Sequence, residues 1–223
     1  MASDASYAGQ ADLSALTSEK NALAFIVRMI LGELATATLV QVKAVAPNDD
    51  SLAIGGTVDV VPMVNMLDGS NNAIPHGTLH KLPFFRLQGG TNAVQIDPKV
   101  GDIGLAVFAS RDISSVKNTR AQANPGSFRK HDMADGLYLG GFLNGVPEQY
   151  VRFSTAGIQV VSPTLVDIQA PQIKLDGAVT ITGDVTGQKG AAFTNDVTAE
   201  GTSLHTHTHK NVQPGSGNSG GPN

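Results

Sequence analysis

Val166-Asp167-Ile168-Gln169, Ile173-Lys174-Leu175-Asp176 and Val179-Thr180-Ile181-Thr182 set the architecture of this chain. Each is a short alternation of apolar and polar side chains. Asp176-Gly177 and Gly183-Asp184 punctuate the run, and Gly187, Gly190 and Gly201 continue it. Successive side chains of a strand point to opposite faces, so each rung places only two or three apolar side chains on one face. A rung of that size buries too little to stand alone and needs stacked neighbours. Three chains wound about one axis, with Val, Ile and Leu inside and Thr, Asp, Lys and Gln outside, would close the sheet edges and form a narrow prism.

The rungs run into Leu204-His205-Thr206-His207-Thr208-His209-Lys210-Asn211-Val212-Gln213-Pro214-Gly215. Three of the six histidines stand here at every second position. On an extended strand their imidazoles share a face. Imidazole suits iron, nickel, copper and zinc. One strand supplies two or three ligands, whereas three copies around an axis supply six nitrogens. An expression tag is usually contiguous in histidine, unlike this tract. A solvated end is the other alternative, since a His-rich tract is only a compositional sign.

Composition bounds the rest. The 223 residues suffice for one sizeable domain or two small ones. With no cysteine, there are no disulfides, thiolate metal sites or cysteine nucleophiles. A net charge of −4 and the absence of tryptophan argue against a nucleic-acid partner. Twenty-five glycines and eleven prolines predict many turns and a β-rich chain. Met1-Ala2-Ser3-Asp4 lacks the basic start and apolar run of a signal peptide, which predicts synthesis in the cytoplasm. The apolar stretch 22–34 contains Arg28 and Glu33 and is too short to span a bilayer.

Residues 1–17 read as a mobile arm. Ser18 opens a helix over 18–34, with Leu23, Ile26, Val27, Ile30 and Leu34 at helical spacing. From 35 to 112 the period changes to two. Five extended pieces are predicted, at 38–45, 57–64, 82–87, 93–96 and 100–109, and suggest a small Greek-key barrel of OB type. Such barrels often bind oligonucleotides or sugars. Few exposed aromatics or cations accompany these strands, so an architectural role is favoured. Residues 113–150 read as a connector, and 111–135 carry local positive charge, suited to solvent or to an acidic partner surface. His76, His80 and His131 share no spacing and read as structural. Tyr150-Val151-Arg152-Phe153-Ser154 and Gly157-Ile158-Gln159-Val160-Val161 read as a hairpin at the start of the rung region, 151–203, with a tip at 204–223.

These residues carry a family likeness. Pro98-Lys99-Val100-Gly101-Asp102-Ile103-Gly104-Leu105-Ala106-Val107-Phe108-Ala109-Ser110-Arg111-Asp112-Ile113, the short rungs, and His207-Thr208-His209 followed by Val212-Gln213-Pro214-Gly215 resemble the central spike of contractile-tailed bacteriophages. The resemblance implies a homotrimer, mainly β, with an N-terminal OB-fold in the baseplate and an intertwined triple-stranded β-helix projecting from it. It implies one buried iron ion per trimer, held by a His-x-His pair from each chain. By the family's offset to the Val-Gln-Pro-Gly run, the pair is His207 and His209; a shift to His205 and His207 keeps the same geometry. Its implied partners are the baseplate hub, the tail-tube proteins and the host outer membrane, with no small-molecule substrate. Its implied location is the virion, at the tail tip. Some relatives carry a lysozyme domain between barrel and prism, and no insertion of that size exists here.

Two other functions compete. A metal-dependent hydrolase needs an open coordination position, a base and a pocket, and only Glu200 is a nearby carboxylate. A receptor-binding fibre tip predicts aromatic-rich exposed loops, which the tail lacks.

Overall fold

Alternation over β1 (Ala37–Ala46) builds the middle strand of a five-stranded sheet. Val40 and Val42 point inward and are fully buried, as are Val58 and Val60 of β2 (Thr57–Pro62). The computed structural model describes residues 17–32, 34–46, 56–68, 70, 72–208 and 215. In chain order the elements are α1 (Glu19–Gly32), β1, β2, β3 (Met66–Leu67), β4 (Ala73–Ile74), β5 (Leu79–Pro83), β6 (Leu87–Gly89), β7 (Asn92–Val94) and β8 (Ile103–Phe108). They continue with α2 (Ser114–Thr119), a 3-10 turn (Met133–Asp135), β9 (Gly136–Gly141), β10 (Tyr150–Ser154), β11 (Gly157–Val161), β12 (Thr198–Ala199) and β13 (Thr202–Ser203). The protein is mainly β, and no described helix is long and apolar enough to cross a membrane.

The chain divides into two units, Met1–Thr164 and Leu165–Asn223. The first holds a five-stranded antiparallel sheet in the order β5-β2-β1-β8-β9. The sheet curls until its edges meet at one parallel bridge between Phe84 and Tyr138, where the Phe85 amide donates to the Tyr138 carbonyl at 2.8 Å. Val40, Val42, Val58, Val60, Leu82, Ala106 and Tyr138 fill the interior. Tyr138 fits because Gly104 has no side chain: a Cβ there would overlap the Gly140 carbonyl and the Tyr138 ring. Gly104→Ala is therefore expected to destabilise the sheet by about 3 kcal/mol, the upper range for overpacking, read as a lowered midpoint in urea.

Two expectations about the strands are corrected. The piece at 93–96 is not a barrel strand; its residues Asn92–Val94 pair with Leu87–Gly89 in a separate exposed hairpin. The fifth strand of the sheet is β9, from the stretch read as connector, so the sheet extends beyond residue 112. The β10–β11 hairpin likewise falls in the first unit.

The stretch 111–135 is also more than a solvated connector. Asp112 and Asp135 are buried, and one guanidinium joins them. Arg129 donates through Nε and one terminal nitrogen to the two oxygens of Asp135, and the same terminal nitrogen lies 3.1 Å from Asp112. Asp135 also accepts the Ile113 amide, and Asp112 accepts the Ser127 hydroxyl at 2.6 Å and the Ser114 amide at 2.8 Å. Hydrogen bonds from the Ser114 hydroxyl first, then the Ser127 hydroxyl and the Ser114 amide, aided by the Arg129 charge, hold the Asp112 carboxyl well below the usual carboxylate range. A carboxylate with a depressed folded-state pKa adds stability above its unfolded value of about 3.9, and that stability is lost as pH falls. Acid unfolding below about pH 4 is thus expected to be weakened in Asp112→Asn, which is destabilised at neutral pH. Asp135→Ala removes a buried acceptor and leaves the Ile113 amide without its partner, and is expected to lower stability by about 1–3 kcal/mol at neutral pH, measured by urea titration.

The second unit opens with the stretch that the sequence reads as rungs. Among the described residues, 162–197 contain no helix or strand, and 166–195 make no backbone–backbone hydrogen bond. Ile168 is 68% exposed, Leu175 70% and Val185 73%.

Candidate metal centre

The hairpin β12–β13 precedes the histidine tract, with Thr198 opposite Ser203 and Ala199 opposite Thr202. Its two-residue turn is Glu200-Gly201, both at positive φ (50° and 79°), the backbone signature of a tight hairpin. Glycine suits the second position, while Glu200 takes a left-handed conformation uncommon for its type. The Leu204 amide closes the hairpin base onto the Val197 carbonyl at 2.8 Å. Asp196 lies beside it and accepts the His205 amide at 3.1 Å. Hydrogen bonds from the Ser203 hydroxyl first, then the His205 amide, pull its carboxyl below the usual range.

Beyond β13 the chain does not stay extended. Leu204–Thr206 form a turn, because Ser203 captures the backbone of Thr206 and His207. Its hydroxyl oxygen accepts the Thr206 amide at 2.8 Å and lies 2.8 Å from the Thr206 hydroxyl, and its carbonyl accepts the His207 amide at 3.2 Å. Local side-chain bonds of this kind compete with an extended backbone. His205 and His207 therefore do not share the face of one straight strand, as alternation predicts. Both are exposed. His209 lies outside the described residues.

One detail bears on ligation. The His207 Nδ1 lies 3.1 Å from the Ser203 carbonyl oxygen and 3.1 Å from that of Leu204. Carbonyl oxygens only accept, so Nδ1 carries the proton and the lone pair of the neutral ring lies on Nε2. A metal-ligating histidine commonly has its other nitrogen tied to a carbonyl in this way. Among the described residues of a single chain, no group of three or more His, Asp and Glu side chains converges as a metal site.

The remaining histidines fall elsewhere. His80 has an acidic partner that the sequence did not suggest: its Nδ1 lies 2.8 Å from Asp59, which also accepts the Lys81 amide at 2.9 Å. Lys81 stands at positive φ (57°), opposite a register shift between Val58 and Val60, so Asp59 braces an irregular strand edge. Its carboxyl is lowered by the Lys81 amide first and His80 second. The Nδ1 of His131 is buried without a hydrogen-bond partner among the described residues. Comparison with protein-family models and with curated proteins returns no match for this chain.

Proposed function

We propose that the chain is the central spike of a contractile phage tail. In this reading it is a homotrimer whose barrel sits in the baseplate, against hub and tail-tube proteins. Its C-terminal rungs intertwine as a triple-stranded β-helix that sheath contraction drives through the host outer membrane. The observation that carries the reading is the run 166–195, exposed and without backbone pairing among the described residues, with apolar side chains at alternate positions over 166–169, 173–176 and 179–182. Exposed backbone groups can bond to water, but the same groups need a protein partner once the apolar side chains beside them are buried. Exposed apolar side chains in register with them mark the surface that partner covers.

The sheet order β5-β2-β1-β8-β9, closing through a parallel Phe84–Tyr138 bridge, supports an OB-type barrel. The His207 ring, with Nδ1 tied to carbonyls, fits a ligand bonding through Nε2. His207 with His209, or with His205 in the alternative register, would hold one iron ion among three copies. When bound, the ion supplies a cross-link between chain ends that otherwise fray. The chain's own work is mechanical: it closes its edges, stiffens, and concentrates force at a point.

The deciding experiment measures mass and metal together. The intact protein is expected at three times the 23.0 kDa of one chain, with one iron for every three chains. A 23.0 kDa particle would overturn the spike reading. A particle of trimer mass without transition metal would overturn the iron alone.

A further inference from the structure

Helix α1 has no buried residue. Ser18 caps it, through its hydroxyl to the Asn21 amide at 3.2 Å and its carbonyl to the Ala22 amide at 3.0 Å. Asn21, Ala22, Ala24 and Phe25 are half-buried and Leu23 is 63% exposed, while every residue from Ile26 to Gly32 is exposed, Leu31 by 58%. Leu23, Val27 and Ile30 follow one another at intervals of four and three, the spacing of a coiled-coil seam, and Leu34, at the next interval, lies beyond the last helical residue, Gly32. Ile26 and Leu31 flank that seam on opposite sides.

We propose that α1 forms a parallel three-helix collar with the α1 helices of two further copies of this chain. The inference rests on the trimeric reading for its copy number. Three features select copies of the same chain over a foreign groove. The exposed side is self-complementary at heptad spacing. It is apolar on both flanks, so each helix needs a neighbour on either side, as three helices give and two do not. The one charged residue within 21–32, Arg28, lies off the seam and would not meet its symmetry mates. Length argues the same way. A 14-residue helix is marginal alone and spans about 21 Å, too little for the roughly 800 Å² per partner of a stable free association. Copies held together elsewhere in the chain meet at high effective concentration, and a short seam then suffices.

Cysteine scanning tests this on the full-length protein, which has no cysteine of its own. Ile30→Cys and Arg28→Cys are each oxidised, run on non-reducing gels, and sized in solution. A three-fold axis pairs two thiols of every three, so Ile30→Cys is expected to give up to about two thirds disulfide-linked dimer and Arg28→Cys almost none. A particle of trimer mass in which Ile30→Cys cross-links no better than Arg28→Cys overturns the collar and leaves the trimer standing. A 23.0 kDa particle overturns both.

Discussion

Replacing Ile168, Leu175 and Ile181 together by aspartate is expected to turn a trimeric particle into one of 23.0 kDa, the mass of a single chain. In the single chain these side chains stand 68%, 70% and 61% exposed. In an intertwined trimer they would line the axis. Burying one such side chain is worth about 1.5–3 kcal/mol, and three per copy are lost. Each aspartate adds the penalty of an unpaired charge near a dry axis, several kcal/mol in its ionised form. The sum exceeds the roughly 5–15 kcal/mol that typically separates folded from unfolded protein, so assembly through the rungs should fail outright. The matched control replaces the alternate positions Asp167, Lys174 and Thr180 by alanine, which should leave the mass unchanged. Sedimentation or light scattering reads both. A triple-aspartate variant that keeps the trimer mass would mean that the rungs do not hold the copies together.

The second large effect is expected at His207. With Nδ1 held by the Ser203 and Leu204 carbonyls, its ring is presented with Nε2 as the donor nitrogen. His207→Ala removes a ligand shared by both registers. Iron content is expected to fall at least tenfold, on the scale by which disturbing ligand shells weakens metal sites. His205→Ala and His209→Ala then separate the registers. Iron retained in the first and lost in the second assigns the pair to His207 and His209; the reverse assigns His205 and His207. Loss of the ion should also raise hydrogen exchange at the β12–β13 amides, because metal binding adds to local folding free energy. Unchanged iron in His207→Ala would remove the histidines from the site.

How far the fold was legible depended on where its information lay. Strands β1, β2 and β8 announce themselves by alternation, because one face is buried and the other is not. β9 escaped for a physical reason. Its inward positions are Gly136 and Tyr138, while Leu137 and Leu139 face outward, so its apolar pattern is inverted relative to its burial. β7 misled in the opposite direction, since Val94 and Ile96 alternate plausibly around Gln95, yet Val94 pairs with Leu87 in its own hairpin. Asp112, Arg129 and Asp135 carried no local signal, being 17 and 6 residues apart in a polar stretch. At the tip the histidine spacing was plain, but the turn after Ser203 depends on one hydroxyl and one carbonyl prevailing over an extended backbone.

The amino-acid sequence by itself determined that the chain is mainly β, that it has no thiol chemistry, that an apolar helix precedes the sheet, and that each short alternating segment over 166–182 offers only two or three apolar side chains. These are properties of composition and of periods two to four residues long, which neighbouring side chains encode directly. Only the tertiary structure decided which strand closes the sheet, that His80 has Asp59 as partner, and that Arg129 ties two buried carboxylates. Those depend on pairings between residues well separated along the chain, chosen by burial and hydrogen bonding in three dimensions, and no short-range pattern specifies them.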